Sequence, residues 1–192
     1  MPSAPDARAV FLDRDGTIIR EVNHLRDRRQ LRLLPRAADG IRAFNRLGYR
    51  VIVITNQPVV ARGWVSEVQL QSIHRTLLER LARRGARLDA IYYCPHHPDA
   101  NLARYRVRCR CRKPGTALIR RAMRRFGIRS ERSFMVGDGT RDMLAGRRAG
   151  LTTVLVGTGY AGRDGSYEVR SDYGVRDLRE AARLVRRLER QG

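Results

Sequence analysis

Short apolar runs that each close on a cluster of polar residues recur along this chain. They constrain its fold more than any other feature. Ala9–Leu12 runs into DRDGT, Val51–Ile54 into TNQ, Leu88–Cys94 into CPHH, and Ser133–Val136 into GDGTRD. Runs this short and this apolar read as strands buried on both faces. Between them lie amphipathic stretches with helix punctuation. Pro35 is read as the first position of a helix that Gly48 ends, and Ser66 with Gln69 makes a capping box for a helix reaching about Arg84. Thr116–Phe126 is a predicted helix stopped by Gly127, and Arg141–Ala149 another. Thr152–Val156 follows as a strand, and Asp177–Arg190 as the last helix. The polar stretch from Cys94 to about Pro114 is predicted to be a nearly structureless loop.

Strand–helix alternation predicts an α/β fold with a parallel sheet covered on both faces. Right-handed crossovers place every strand's C-terminal end on one edge, where ligands bind. The unusual residues of this chain fall on that edge. No repeat and no linker interrupts the pattern, so residues 1–192 are expected to form one domain.

Net charge is +21, which raises the possibility of a nucleic-acid partner. Arginine, however, is spread through every predicted helix and most loops, with no basic block set apart from acids. Compositional bias accounts for that pattern better than a specific nucleic-acid surface does. A basic zinc-containing nucleic-acid module stays as the alternative from a different class. Against it, aromatic residues make up only 6% of the chain, few for base stacking. The opening MPSAPDARAV has no apolar run of the kind a leader needs, and no run is long enough to span a bilayer. A cytoplasmic monomer without membrane contact is expected. Three cysteines, an odd number, argue against a disulfide framework and for reduced thiols.

Asp13 and Asp15 lie two residues apart, so an extended backbone would point both side chains the same way, and Gly16 lets the chain turn after them. Two carboxylates on one side suit a division of labour between attack and proton handling, and they suit a hard cation such as Mg2+. Asp138, after the fourth strand, can reach the same edge. Asp142 can either serve the start of its helix or support Asp138 or the metal. Thr55 and Asn56 end the second strand, where a hydroxyl, an amide and backbone N–H groups can hold phosphate oxygens. Lys113 is the only lysine among 40 Lys and Arg residues. A compact ammonium suits a tight site ringed by carboxylates where a planar guanidinium does not.

Taken in order, DRDGT, TNQ, CRKPG and GDGTRD resemble the haloacid dehalogenase (HAD) superfamily of aspartyl phosphotransferases, over Val10 to about Tyr160. The resemblance implies a three-layer Rossmann-like fold without a large cap domain. It implies Asp13 as nucleophile, Asp15 as acid/base, and Thr55, Asn56 and Lys113 as phosphate contacts. Mg2+ would sit on Asp13, the Asp15 backbone carbonyl and Asp138. Within the superfamily, FLDRDGTI, TNQPVVARGW, CPHHP, CRCRKPG and AGLTTVLVGTGY are similar to the D-glycero-D-manno-heptose 1,7-bisphosphate 7-phosphatase family. The implied substrate is thus a small sugar phosphate. Histidinol phosphate or another small phosphomonoester is the alternative within the class. Arg112 becomes a substrate contact by the same resemblance.

The loop then reads as a zinc site. Cys94 and His96, with Cys109 and Cys111, make a Cys3His set in two close pairs, a structural zinc stoichiometry with no open position, spanning 94–112. His97 is taken as a neighbour of that set. The chain departs from the family's pattern at Gly139, where a basic residue is usual, with Arg141 nearby to compensate, and at Pro58, where a small residue is usual. The basic segment from Glu21 to Arg32 corresponds to a loop that helps shape the family's substrate site, with Asn23, His24 and Arg26 as candidate contacts.

Overall fold

The computed structural model describes residues 7–191, so most of the opening MPSAPDARAV, on which the leader reading rests, lies outside the described residues. Strands β1 (Ala9–Leu12), β2 (Arg50–Asn56), β3 (Ala90–Cys94), β4 (Phe134–Gly137), β5 (Thr152–Val156) and β6 (Tyr173–Val175) form one parallel sheet in the order β3-β2-β1-β4-β5-β6. The helices are α1 (Ala37–Arg46), α2 (Pro58–Ala61), α3 (Glu67–Ala82), α4 (Ala117–Phe126), α5 (Thr140–Arg148) and α6 (Leu178–Leu188).

Strand β1 shows why its sequence is apolar without alternation. Val10 and Leu12 pack into a cluster with Ile41 and Phe44 of α1, Leu77 and Leu81 of α3 and Val185 of α6. Ala9 and Phe11 point the other way, onto Leu118, Ile119 and Ala122 of α4 and Ala145 of α5. All four residues are fully buried, so the sheet is the middle of three layers. No helix among the described residues is long and apolar enough to cross a membrane. None of the described connections contains a further sheet that would make a cap.

Strand direction along the sheet reverses its numbering at β1, which pairs β2 on one side and β4 on the other. That is the topological switch point, the place where an open α/β sheet offers a crevice at its carboxyl edge.

The element limits differ from expectation in instructive places. Helix α1 begins at Ala37, so Pro35 is not its first residue. The Leu34 amide is held by the Ile18 carbonyl (2.9 Å) and Arg36 takes a left-handed conformation (φ 61°), which delays the helix. Strand β3 starts at Ala90 because the Asp89 carboxylate accepts from the Val51 amide at 2.8 Å and takes that strand position out of the ladder. The capping box at Ser66 and Gln69 is formed as expected, at 2.8 and 3.1 Å. Strand β6 and helix α2 carry too little pattern to be read from sequence. Pro58, unusual for its position, is the first residue of α2, where its missing N–H costs nothing. The long loop holds one 3-10 turn, Ala103–Tyr105.

Candidate active site

The chain after β1 bends sharply. The amides of Ile18 and Ile19 both donate to the Arg14 carbonyl (2.9 and 3.0 Å), and Gly16 sits at φ 73°. Asp13 and Asp15 both line the crevice. Asp15 is held by the Arg14 guanidinium (2.8–3.1 Å) and by Gln57 Nε2 (2.9 Å).

Around Asp13 the switch point gathers groups from three other parts of the chain. Lys113 Nζ donates to Asp13 Oδ1 at 2.7 Å and lies 2.7 Å from Asp142 Oδ1. Asp138, from the end of β4, accepts from the Tyr160 amide at 2.8 Å and from the Thr17 hydroxyl at 3.3 Å. One oxygen each from Asp13, Asp138 and Asp142 lie within 4.8 Å of one another. A Cβ on Gly16 or Gly159 would run into the Asp138 carboxylate, so glycine at both positions makes room for it.

Asn56 fixes the lysine from below. Its Nδ2 donates to the Lys113 carbonyl (3.1 Å) and its Oδ1 accepts from the Lys113 amide (2.9 Å). Thr55 is buried, with its hydroxyl accepting from Gln57 at 2.9 Å. Arg112 lines the crevice, its guanidinium donating to the His96 carbonyl at 3.3 Å. Asn23 and His24 line it too, both at positive φ (48° and 81°). Beside them Trp64 carries Arg26 on its ring at 3.8 Å and Arg62 at 4.8 Å, with His24 edge-on at 5.3 Å. Arg141 also lines the crevice, donating to Ser166 at 2.7 Å.

The electrostatics are those of a site short of positive charge. Burial pushes Asp13 up to about 8, with Asp142, Asp138 and Asp15 adding to the push and Lys113 pulling against it. Burial and the neighbouring Asp142 push Asp138 up to about 7. Burial works against the Lys113 charge, but Asp13 and Asp142 outweigh it and hold its pKa above the usual lysine value. One ammonium does not satisfy this group of carboxylates, and a divalent cation with a taste for hard oxygen ligands would. The donor set fits Mg2+.

A second cluster closes the long loop. Cys94 Sγ lies 3.4 Å from Cys109 Sγ and 3.2 Å from Cys111 Sγ, and His96 Nδ1 lies 3.4 Å from Cys111 Sγ. All four ligand atoms lie within 4.8 Å of one another, and three sulfurs with one imidazole nitrogen suit tetrahedral Zn2+. His97 instead accepts from the Asp99 amide at 3.1 Å through its own Nδ1. The loop has a second anchor. Tyr93 and Tyr105 both donate to the Glu67 carboxylate at the start of α3, at 2.6 and 2.7 Å.

Four residues of this arrangement were not assigned a part from sequence: Arg14, Thr17, Gln57 and His74. Arg14 and Gln57 stood inside the quoted motifs DRDGT and TNQ, so a signal was present. His74 lies on α3, sixty residues from its partner Arg14, and no local pattern marks it. Asp142 serves the start of its helix, its Oδ2 accepting from the Gly139 amide (3.1 Å), and its Oδ1 lies 2.7 Å from Lys113 Nζ, a partner that the sequence did not indicate.

A family model described as HAD-hydrolase-like matches residues 110–181. A D-glycero-beta-D-manno-heptose-1,7-bisphosphate 7-phosphatase from Rhodopseudomonas palustris is 42% identical over 149 residues, covering 78% of this chain and 83% of that protein. A D-glycero-alpha-D-manno-heptose-1,7-bisphosphate 7-phosphatase from Photorhabdus laumondii is 37% identical, covering 80% and 84%. Among solved structures, the D,D-heptose 1,7-bisphosphate phosphatase of B. bronchiseptica, complexed with magnesium and phosphate, superimposes with a TM-score of 0.81 at 29% identity, covering 97% of this chain and 99% of that one.

Proposed function

The chain belongs to the HAD-like phosphatases, and from that premise we propose that it removes the 7-phosphate of D-glycero-D-manno-heptose 1,7-bisphosphate through an aspartyl-phosphate. The observation that carries the chemistry is Lys113 Nζ set 2.7 Å from both Asp13 and Asp142, beside Asp138, at the switch point of the sheet. The substrate comes from the relatives, whose names cover both anomers.

An Asp13 oxygen attacks phosphorus, and the bond from phosphorus to the sugar oxygen breaks. Asp15 gives its proton to the departing alkoxide. Asp15, now a carboxylate, takes a proton from water. That water's oxygen attacks phosphorus, and the Asp13–phosphate bond breaks to release inorganic phosphate and free Asp13. Lys113 offsets the negative charge on the phosphoryl oxygens, an electrostatic contribution of the kind phosphoryl transfer depends on. Thr55 and Asn56 supply donors to the same oxygens, and Asn56 also keeps Lys113 in place. Asp13, Asp138 and the Asp15 backbone carbonyl would hold Mg2+, which when bound neutralises phosphate charge. Arg112 contacts the substrate beyond the reacting phosphate.

Cys94, His96, Cys109 and Cys111 would hold a structural Zn2+, supported by their mutual approach. The zinc-held loop ends two residues before Lys113, so it sets the approach of Arg112 and Lys113 to the crevice. The enzyme works as a single-domain monomer in the cytoplasm, on a small sugar phosphate, without a specific nucleic-acid or membrane partner.

The test is phosphate release from both anomers of the heptose bisphosphate and from histidinol phosphate, with and without Mg2+. The highest kcat/KM is expected on a heptose bisphosphate, with loss of turnover on omitting Mg2+ and in Asp13→Asn. A higher kcat/KM on histidinol phosphate would reassign the substrate. Wild-type rates in Asp13→Asn would overturn the mechanism.

A further inference from the structure

Arg14, the second residue of DRDGT, is among the most deeply buried large side chains of the described residues, at 1% exposure. Burying a guanidinium is costly unless its donors are met. Here they are met in one direction. Nε and Nη2 fork onto the neighbouring Asp15 carboxylate at 2.8–3.1 Å, and Nη1 lies 3.2 Å from His74 Nε2. A guanidinium only donates, so His74 Nε2 is the acceptor and its proton sits on Nδ1. Burial, together with the Arg14 charge, pushes His74 down to about 3, so the ring is neutral and stays an acceptor across the working range. The ring packs at 5.6 Å on Tyr93 of β3, which fixes its plane.

The Asp15 carboxylate is thereby fixed atom by atom. Oδ2 accepts from Arg14 Nε, Arg14 Nη2 and Gln57 Nε2, whereas Oδ1 accepts from Arg14 Nη2 alone. Oδ1 is the oxygen with a lone pair to spare. The Asp15 side chain keeps 18% exposure, toward the crevice it lines.

We propose that Arg14 and His74 are positioning residues for Asp15: His74 orients the guanidinium, and the guanidinium turns the Asp15 carboxylate so that Oδ1 exchanges the proton with the sugar oxygen. This rests on the reading of Asp15 as acid/base. Without His74 the guanidinium loses one of its fixing contacts and rotates, and Oδ1 leaves its line to the leaving oxygen. A misplacement of that kind costs roughly 100-fold in rate.

Leaving-group dependence tests it. An alkoxide departs slowly unless protonated, whereas p-nitrophenolate leaves without a proton. kcat/KM covers steps up to leaving-group departure, so it isolates this half of the reaction. The heptose bisphosphate and p-nitrophenyl phosphate are compared in wild type, Asp15→Asn, Arg14→Lys, His74→Leu and His74→Gln, each checked for folding by thermal melt. His74→Leu and Arg14→Lys are expected to lose roughly 10- to 100-fold on the sugar ester, part of the general-acid contribution. Their loss on p-nitrophenyl phosphate should stay within roughly 3-fold, the direction set by Asp15→Asn. His74→Gln, whose amide oxygen can stand where Nε2 stood, should recover most of the loss. Equal losses on both esters, or no loss, would overturn the proposal by reducing the pair to a packing role. If His74→Leu does not fold, Arg14→Lys carries the same comparison. Wild type inactive on both esters would instead overturn the phosphatase reading on which the proposal rests.

Discussion

Lys113 Nζ stands midway between two carboxylates, 2.7 Å from Asp13 Oδ1 and 2.7 Å from Asp142 Oδ1, with only 3% of the residue exposed. Asp13 directly follows β1 and Asp142 stands in the first turn of α5, so the lysine ties the two sides of the switch point together. Lys113→Arg should test whether position as well as charge matters there. A guanidinium keeps the charge but is too broad for a gap that Asp13 and Asp142 leave to one atom. Turnover should fall by about 100-fold or more while the melting curve stays near wild type. Near-normal kcat would show that charge alone suffices.

Asp142→Asn separates the two jobs of that residue. An amide oxygen can still accept from the Gly139 amide, so the start of α5 survives, but the pairing with Lys113 loses its charge. kcat should drop with little change in stability. Asp142→Ala should lose the amide contact as well and destabilise by about 1 kcal/mol more, the usual scale for a lost cap. Thermal melts beside steady-state kinetics read the difference.

Gly16→Ala and Gly159→Ala address Asp138. Both glycines have positive φ (73° and 57°), and a methyl on either would press on the Asp138 carboxylate. Strain of this kind costs about 1 kcal/mol or more. The more telling readout is the Mg2+ concentration for half-maximal activity, which should rise if the displaced carboxylate holds the metal as proposed. An unchanged Mg2+ requirement would remove Asp138 from that role.

Removing zinc should loosen the loop unevenly. Cys109→Ser, or a chelator, should lower bound zinc below one per chain and raise amide exchange from Cys109 to Lys113. Tyr105 should stay protected, since its hydroxyl still donates to Glu67 at 2.7 Å. Activity should fall in step with exchange at Lys113. Exchange unaltered by loss of the metal would argue against a zinc-held loop.

Glu67 gives a pH signature. Hydrogen bonds from Tyr93 and Tyr105 hold its carboxyl below the ordinary value of 4.5. A carboxyl with a lowered folded pKa contributes stability that is full above the unfolded value and lost as pH falls through the folded one. Glu67→Gln should therefore cost stability at neutral pH, about 1–3 kcal/mol for hydrogen bonds to a charged group. The cost should shrink as pH drops below 4.5. Melting temperatures of the pair between neutral and acid pH check this.

The sheet was legible because its strands are buried on both sides. Val10 and Leu12 face one helical layer and Ala9 and Phe11 the other, so every residue of β1 must be apolar, and the run announces itself. Strand β6 has no such run. Its tyrosine and glycine are exposed, and only pairing with β5 makes it a strand. The acids Asp13 and Asp138, the lysine and the paired Cys and His residues could be read from motif and composition. The local signals failed where a residue's partner is far away in the chain. Arg14 and His74, sixty residues apart, are the case in point.

By itself the sequence determined the order of the first five strands and of the helices other than α2, the strand ends that carry polar groups, and the residue types that meet there. Local periodicity and turn chemistry are enough for that, since they act within a few residues. Tertiary structure alone decided how those groups are shared. It set Lys113 between Asp13 and Asp142 and backed Arg14 with a neutral His74. These are contacts across the sheet and between layers, where burial makes each charge seek a partner, and no stretch of the chain contains both members.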